Sequence, residues 1–521
     1  MTTFTSVGDV AARNAERFGE HTAFEDDFRT ISFAALHARA LALRAALSAA
    51  GIQKGERVAL LSRNRIECLE VFLSSDLGVL VVPINWRLGV EEIAFILKDC
   101  NPAILIIEPE FRSVIDQAQL GLTTIQRRII FSDDGQGVWE PYEDVIWHGV
   151  RSSISSDTVN LSDPACIVYT SGTTGRPKGA LLSHSGLLSS SNSIAEEMLD
   201  LGPQDVSLAV MPFFHVGGMW FHCFPSFASG AKTIIQAAFH PDDVLDAITA
   251  HGVTNVHLAP TMVGDLLDRP GTEAASASLK RIYYAASPMP VATLKRAMAQ
   301  FPQSDFFQSY GSTESGPATW LGPAEHKEAL DGNQERLNSC GRPFAGVEVQ
   351  LVDSGEGVPK PSKIGELAVR SNCTMEGYWE NPEATVETLE DGWVATGDLG
   401  RCDSDGFFFI VDRKNDMIIT GGENVYPSEV EDVLCGLPGI AEAAVIGVPD
   451  DRWVERVVAC VVAGDDVELV ADRLIRDCKQ RLSGYKCPKE ILFVHSLPKN
   501  AAGKVLRRRL IDNYQFETGV S

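Results

Sequence analysis

The chain holds 521 residues, more than one ordinary domain contains, and its 45% hydrophobic against 22% charged residues can fill large cores. Its 45 Lys and Arg face 70 Asp and Glu, a net charge of −25 that repels nucleic acid and anionic membrane surfaces. The 11 cysteines stand singly, with no C-x-x-C, so neither a zinc site nor a secreted disulfide framework is expected.

The opening residues, MTTFTSVGDVAARNAERFGE, lack a basic segment followed by an apolar one, so no signal peptide is read there. Residues 33–50 are rich in Ala and Leu and stop at Gly51, which predicts a helix with a glycine end. Residues 57–61, Arg-Val-Ala-Leu-Leu, predict a buried strand; residues 90–99 a helix; residues 103–107, Ala-Ile-Leu-Ile-Ile, a second strand. The longest apolar run, residues 77–84, is far short of the roughly 20 residues of a membrane helix. This alternation predicts parallel sheets with helices on their faces.

Residues 205–285 repeat the rhythm, with strands at 206–210 and 232–235 and a helix over 222–229. From about residue 341 to 411 short apolar runs and many turns predict a β-rich portion. The fold class is therefore α/β: a large N-terminal domain of parallel-sheet subdomains plus a β-rich portion, over residues 1–411. A small α+β domain follows over 412–521, bounded near Asp412-Arg413-Lys414. Beyond residue 411 there are 15 Lys and Arg against 18 Asp and Glu, so nearly all of the acidity lies in the large domain. The end, Glu-Thr-Gly-Val-Ser, carries no lipidation or peroxisomal signal, and a cytoplasmic protein is expected.

One segment carries most of the chemical signal: Tyr169-Thr170-Ser171-Gly172-Thr173-Thr174-Gly175-Arg176-Pro177-Lys178-Gly179, set between the apolar runs at 165–168 and 180–182. Its glycines let backbone N–H groups curve around a ligand, its hydroxyls add donors, and Lys178 adds a positive point charge. Such a loop suits the phosphates of a nucleotide. It is not G-x-x-x-x-G-K-[ST], because Gly179 follows Lys178.

With six further motifs in order, the chain resembles the adenylate-forming enzymes: acyl-CoA synthetases, luciferase-like proteins and peptide-synthetase adenylation domains. The motifs are Met211-Pro212-Phe213-Phe214-His215, Gln308-Ser309-Tyr310-Gly311-Ser312-Thr313-Glu314, Thr396-Gly397-Asp398, Asp412-Arg413-Lys414, Gly421-Gly422-Glu423-Asn424-Val425-Tyr426-Pro427 and Pro498-Lys499-Asn500-Ala501-Ala502-Gly503-Lys504. The likeness covers almost the whole chain. It implies an ATP-dependent ligase in which a carboxylate attacks the α-phosphorus of ATP, and CoA then takes the acyl group.

What the resemblance implies residue by residue is as follows. Glu314 and Thr170 would hold Mg2+ at the phosphates. Ser171, Gly172, Thr173, Thr174, Gly175 and Lys178 would wrap the β- and γ-phosphates. Tyr310 would stack on adenine, bordered by Ala285, Ala286 and Ser287, with Gln308, Gly311 and Ser312 in the same motif and Thr313 at the α-phosphate. Asp398 would take the ribose hydroxyls and Arg413 ribose or phosphate. Lys504 would bridge the incoming carboxylate and the α-phosphate. The small domain would then rotate, withdrawing Lys504 and presenting Gly421-Gly422 to the pantetheine of CoA. The pivot falls at Asn415, where the family usually carries Asp or Lys. His215 would gate the acyl or pantetheine path; a buried structural histidine beside Phe213 and Phe214 is the alternative.

The segment from Phe213 to Trp220 offers no carboxylate for an amino-acid ammonium, and no Arg or Lys near 217–221, 283–289 or 308–312 would hold a second carboxylate. The expected substrate is an apolar acid, fatty or aryl-alkyl. Ser309, Trp220 and Tyr284 would shorten its tunnel, favouring medium-length or aryl acids. A carrier-protein acceptor in trans and a luciferase-like oxygenase remain alternatives. Partners are the acid, ATP and CoA, with a homodimer left open, no nucleic acid and no integral membrane segment.

Overall fold

The computed structural model describes every residue except 1–3, 119–123, 133, 134, 136, 152–158, 171–175, 353–363, 415, 421, 422, 451, 452, 465–468, 500–504 and 519–521, and gives no side chains for 516–518. The chain forms two compact units, Met1–Val349 with Val369–Val394, and Gln350–Ala368 with Ala395–Ser521.

The first unit contains two large sheets. One has eight strands in the order Gly377–Tyr378, Lys178–Ser183, Pro164–Thr170, Leu80–Pro83, Arg57–Leu61, Ile104–Ile107, Arg127–Ile130, Trp139–Pro141. From Pro164–Thr170 to Trp139–Pro141 neighbouring strands run parallel. The other has nine strands in the order Arg342–Pro343, Gly316–Leu321, Asp305–Ser312, Arg281–Tyr284, Asn255–Leu258, Val206–Ala209, Lys232–Ile235, Thr22–Glu25, Thr30–Ser32. The continuous apolar runs are explained by coverage on both faces, which leaves no position for a solvated side chain. Leu60 faces a core shared by both sheets, whereas its neighbour Leu61 faces a second core under the helix Val90–Cys100. In the other sheet Tyr283 faces the shared core and Tyr284 a third core.

Most expected elements have their counterparts. The Ala/Leu-rich run is the helix Phe33–Ala49, capped by the Ser32 hydroxyl and followed by Gly51 at φ +84°. The strands Arg57–Leu61, Ile104–Ile107, Val206–Ala209 and Lys232–Ile235 lie where expected. The helix expected over 222–229 differs: a π-helical turn, Met219–Cys223, precedes Phe224–Ala228. Pro225 lacks an N–H, which favours a helix start at Phe224 over a continuous helix.

In the second unit, the Asp398–Cys402 part of the strand Trp393–Cys402 pairs antiparallel with Phe408–Arg413, placing Asp398 opposite Arg413. Beyond it a five-stranded sheet, Glu423–Val425, Ile418–Thr420, Val454–Ala463 and Ile440–Asp450, with Glu490–Phe493 parallel to Val454–Ala463, carries helices on both faces. Val445, Val457 and Val461 pack under Pro427–Cys435 and Ala471–Lys479, while Ala444, Ile446 and Val458 pack under Leu510 and Tyr514. This α+β body thus buries its own apolar side chains. All 11 cysteines are free thiols. Among the described residues no helix is long and apolar enough to cross a membrane.

Candidate active site

The strands Pro164–Thr170 and Lys178–Ser183 form an antiparallel pair with Thr170 opposite Lys178. These are the two ends of the glycine-rich loop; Ser171, Gly172, Thr173, Thr174 and Gly175 lie outside the described residues. Thr170 Oγ1 donates to Glu314 Oε1 at 3.1 Å, and Tyr378 OH donates to the same oxygen at 3.0 Å. The Lys178 ammonium lies 5.1 Å from the centre of the Tyr378 ring. Thr170 and Lys178 come from one sheet and Glu314 follows the last residues of Asp305–Ser312 in the other, so the site sits where the ends of two sheets meet. Burial, reinforced by the Glu314 charge, pushes the Tyr378 hydroxyl pKa up, so it remains a proton donor at ordinary pH.

His215 stands at the start of the short turn Val216–Gly218, where its Nδ1 accepts from the Gly217 N–H at 3.1 Å. The neutral ring therefore carries its proton on Nε2. Burial pulls its pKa down and the Glu314 carboxylate pulls it partly back, so His215 lies within electrostatic reach of Glu314. Asn64 fastens the preceding loop, donating to the Met211 carbonyl at 2.9 Å and accepting from the Phe213 N–H at 2.8 Å. Beside it is a narrow cleft with room for little more than a water, lined by Leu187, Ser190, Val216, Trp220, Phe221 and Thr313 among others. Its walls are mainly apolar.

Ala285, Ala286 and Ser287 continue from Arg281–Tyr284, and Tyr284 is paired with Gln308, so the small residues lie beside the Gln308–Ser312 stretch. Ala286 holds φ +77°, an uncommon conformation for a side chain with a Cβ. Tyr310 is half-buried opposite Thr319. A Cβ on Gly311 would meet the Gly316 carbonyl at 2.3 Å, which restricts the position to glycine. Ser312 Oγ and the Ser312 N–H are both bonded to Ser315, and Thr313 is buried. Gln308 Oε1 is buried with no partner among the described residues.

One expectation about the acyl tunnel needs revision. Tyr284 is buried among the outer core residues and donates to His326 Nε2 at 2.8 Å, so it does not narrow the tunnel. Tyr283, on the opposite face by strand alternation, joins Trp220 in the shared core and bonds Ser309 Oγ at 2.7 Å. Sequence reasoning passed over both Tyr283 and Tyr378. Strand alternation puts Tyr283 and Tyr284 on opposite faces without saying which is which, and no local signal marks Tyr378.

In the second unit Asp398 and Arg413 form an ion pair, Oδ1 to Nε 2.9 Å. The Asp398 side chain is 10% exposed and the Arg413 side chain 39% exposed. Lys504, Gly421, Gly422 and Asn415 lie outside the described residues; an isolated antiparallel bridge joins Lys499 to Val505 on either side of residues 500–504.

The described residues contain no group of three or more His, Cys, Asp or Glu that could cage a metal. Glu314 is a lone carboxylate next to a hydroxyl. Hard oxygen donors in that number suit Mg2+, which keeps several waters and is usually completed by substrate phosphate oxygens.

Comparison with known proteins identifies the family. The model of the AMP-binding enzyme family matches residues 11–379, and that of the AMP-binding enzyme C-terminal domain matches residues 429–504. A feruloyl-CoA synthase of Amycolatopsis sp is 36% identical over 506 residues, covering 96% of this chain and 97% of its own. A fatty acid–[acyl-carrier-protein] ligase of Streptomyces coeruleorubidus is 35% identical over 500 residues, covering 93% and 92%. The crystal structure of an anthranilate CoA ligase in complex with anthranoyl-AMP superposes with a TM-score of 0.89 at 26% identity, over 100% of this chain and 99% of that one. The chain belongs to the AMP-binding enzyme family.

Proposed function

We propose that this AMP-binding enzyme joins an apolar carboxylic acid to CoA through an acyl-adenylate. The observation that carries the reading is the convergence of Thr170, Glu314 and Lys178, one carboxylate, one hydroxyl and one ammonium, at the mouth of a glycine-rich loop. In the first step an acid oxygen attacks the α-phosphorus of ATP and pyrophosphate leaves with the electron pair of the broken P–O bond. In the second, the CoA thiolate attacks the acyl carbonyl and AMP leaves, giving the thioester.

Two anions must meet, so positioned positive charge and orientation dominate the barrier. Lys178 would hold the outer phosphates, Glu314 and Thr170 would hold Mg2+, and Lys504 would neutralise charge between the attacking carboxylate and the α-phosphate. Bound Mg2+ would supply charge neutralisation at the phosphate oxygens. Tyr310 and Ala285 to Ser287 would frame the base, and Asp398 with Arg413 the ribose. The functional division is placed at Asp412, with Gly421-Gly422 serving the pantetheine in the second step.

The mainly apolar lining of the cleft, with Val216, Trp220 and Phe221 on its wall, supports an apolar acid. The feruloyl-CoA and anthranilate-CoA relatives, both acting on aryl acids by name, support the same class. The fatty acid–[acyl-carrier-protein] ligase favours a second reading, transfer to a carrier-protein thiol. A panel of aryl, medium-chain and long-chain acids, assayed for thioester with free CoA and with a holo-carrier, tests both. Thioester formed with CoA supports the proposal; product only with the carrier supports the second reading.

A further inference from the structure

We propose that Tyr378 is a positioning residue that commits one oxygen of Glu314 to the protein and so reserves the other for the cation, while its ring seats Lys178. The proposal rests on the reading of Glu314 as the cation-holding carboxylate.

Both donors that reach Glu314, Thr170 Oγ1 at 3.1 Å and Tyr378 OH at 3.0 Å, converge on Oε1. Among the described residues none donates to Oε2. A carboxylate oxygen accepts about two hydrogen bonds, so Oε1 is saturated, the side-chain torsion is fixed, and the lone pairs of Oε2 remain for a metal. Both donors are neutral hydroxyls, so the full negative charge of Glu314 stays at the site. Outer partners that orient a ligating carboxylate in this way tune metal affinity without touching the metal.

The same tyrosine also fixes the cationic half of the site. Its ring faces the Lys178 ammonium at 5.1 Å, a cation–π separation. The backbone around it is tied to both partners. The Met375 N–H donates to the Glu314 carbonyl at 2.8 Å, and the Trp379 N–H to the Gly179 carbonyl at 2.7 Å. Tyr378 itself is paired with Ala180, and its N–H donates to Thr385 Oγ1 at 2.9 Å. Gly377, at φ +145°, makes the bend; a Cβ there would meet Thr385 Cγ2 at 2.9 Å. One clamped side chain therefore spaces the carboxylate from the ammonium, which are the groups meant for metal and phosphate.

The test is equilibrium binding of a nonhydrolysable ATP analogue, followed by calorimetry as Mg2+ is titrated, for wild type, Tyr378→Phe and Tyr378→Leu. In the wild type Mg2+ strengthens binding. Tyr378→Phe keeps the ring but loses the donor: half-saturating Mg2+ rises about tenfold, roughly 1.4 kcal/mol, while metal-free binding is unchanged. Tyr378→Leu also loses the Lys178 seat and weakens metal-free binding. Should Tyr378→Phe fail to fold, Thr385→Val, which removes the acceptor of the Tyr378 N–H and leaves Glu314 and Thr170 untouched, shows a smaller rise in Mg2+ demand. A lowered melting temperature with unchanged Mg2+ demand in both variants would reduce Tyr378 to a packing residue and overturn the proposal. Binding in the wild type that ignores Mg2+ would instead remove the premise about Glu314, and the proposal with it.

Discussion

Thr170 and Glu314 stand 144 positions apart in the chain, yet the Thr170 hydroxyl lies 3.1 Å from the Glu314 carboxylate. Two separate sheets deliver them, one ending its strand at Thr170 and the other at Ser312, so a long-range fold creates the site. Glu314→Gln keeps the shape and removes the charge. Acid-dependent pyrophosphate exchange is expected to fall about 10²–10³-fold, the scale of losing a preorganised charge at a phosphate. Exchange within threefold of wild type would remove Glu314 from the metal site.

On the proposed reading, Lys504→Ala is expected to separate the two half-reactions. A flexible ammonium at the reacting phosphate matters only when the adenylate forms, so its loss is expected to slow adenylation about 10²–10³-fold or more. Thioester formation from supplied acyl-adenylate and CoA is expected to stay near wild type. Equal losses in both assays would assign Lys504 to folding or to both steps.

The Asp398–Arg413 pair distinguishes a ligand role from an ion pair that only decorates the surface. Arg413 is 39% exposed, and exposed pairs contribute about 0–1 kcal/mol, so Arg413→Ala should barely move the melting temperature. Asp398→Asn should raise the KM for ATP about tenfold or more, the scale of a lost charged hydrogen bond to ribose. An unchanged KM in both variants would leave the pair purely structural.

Stability should fall on mild acidification for a reason visible in the cores. His222 donates Nε2–H to Asn255 Oδ1 at 2.9 Å, and burial pushes its pKa from 6.5 down to about 4 despite that bond. His326 accepts from Tyr284 and donates Nδ1–H to the Gly322 carbonyl, and burial likewise lowers it to about 4. With folded values below the unfolded one, the unfolded chain binds protons first as pH falls. The stabilisation is complete above about 6.5 and is lost between there and about 4, at up to about 1.4 kcal/mol per pH unit for each histidine. Unfolding free energies across pH 7.5 to 5 should show a shallower slope for His326→Gln than for wild type; parallel slopes would contradict this.

The sheet interior was the most legible part of the chain, because strands covered on both faces must be apolar throughout. Arg57–Leu61 and Lys232–Ile235 therefore stand out at residue level. The π-helical turn at Met219–Cys223 was not legible, since its pattern differs from a helix by a single residue that only Pro225 hints at. Within the candidate site, the density of Gly, Ser and Thr around Lys178 marks the loop in the sequence, and its flanks Thr170 and Lys178 are paired in the fold. Tyr378 carries no such mark, because its meaning depends on Glu314 being brought beside it by a sheet edge. The opposite placement of Tyr283 and Tyr284 has the same origin: a strand assigns faces alternately, and which face meets the shared core is a tertiary fact.

The nucleotide product distinguishes acid activation through an adenylate from other ATP chemistry. Purified protein given ATP, Mg2+, CoA and a panel of apolar acids is expected to release AMP and pyrophosphate only when an acid is present, with thioester formed in proportion to AMP. Release of ADP, or AMP formation indifferent to every acid tested, would contradict the proposed reading.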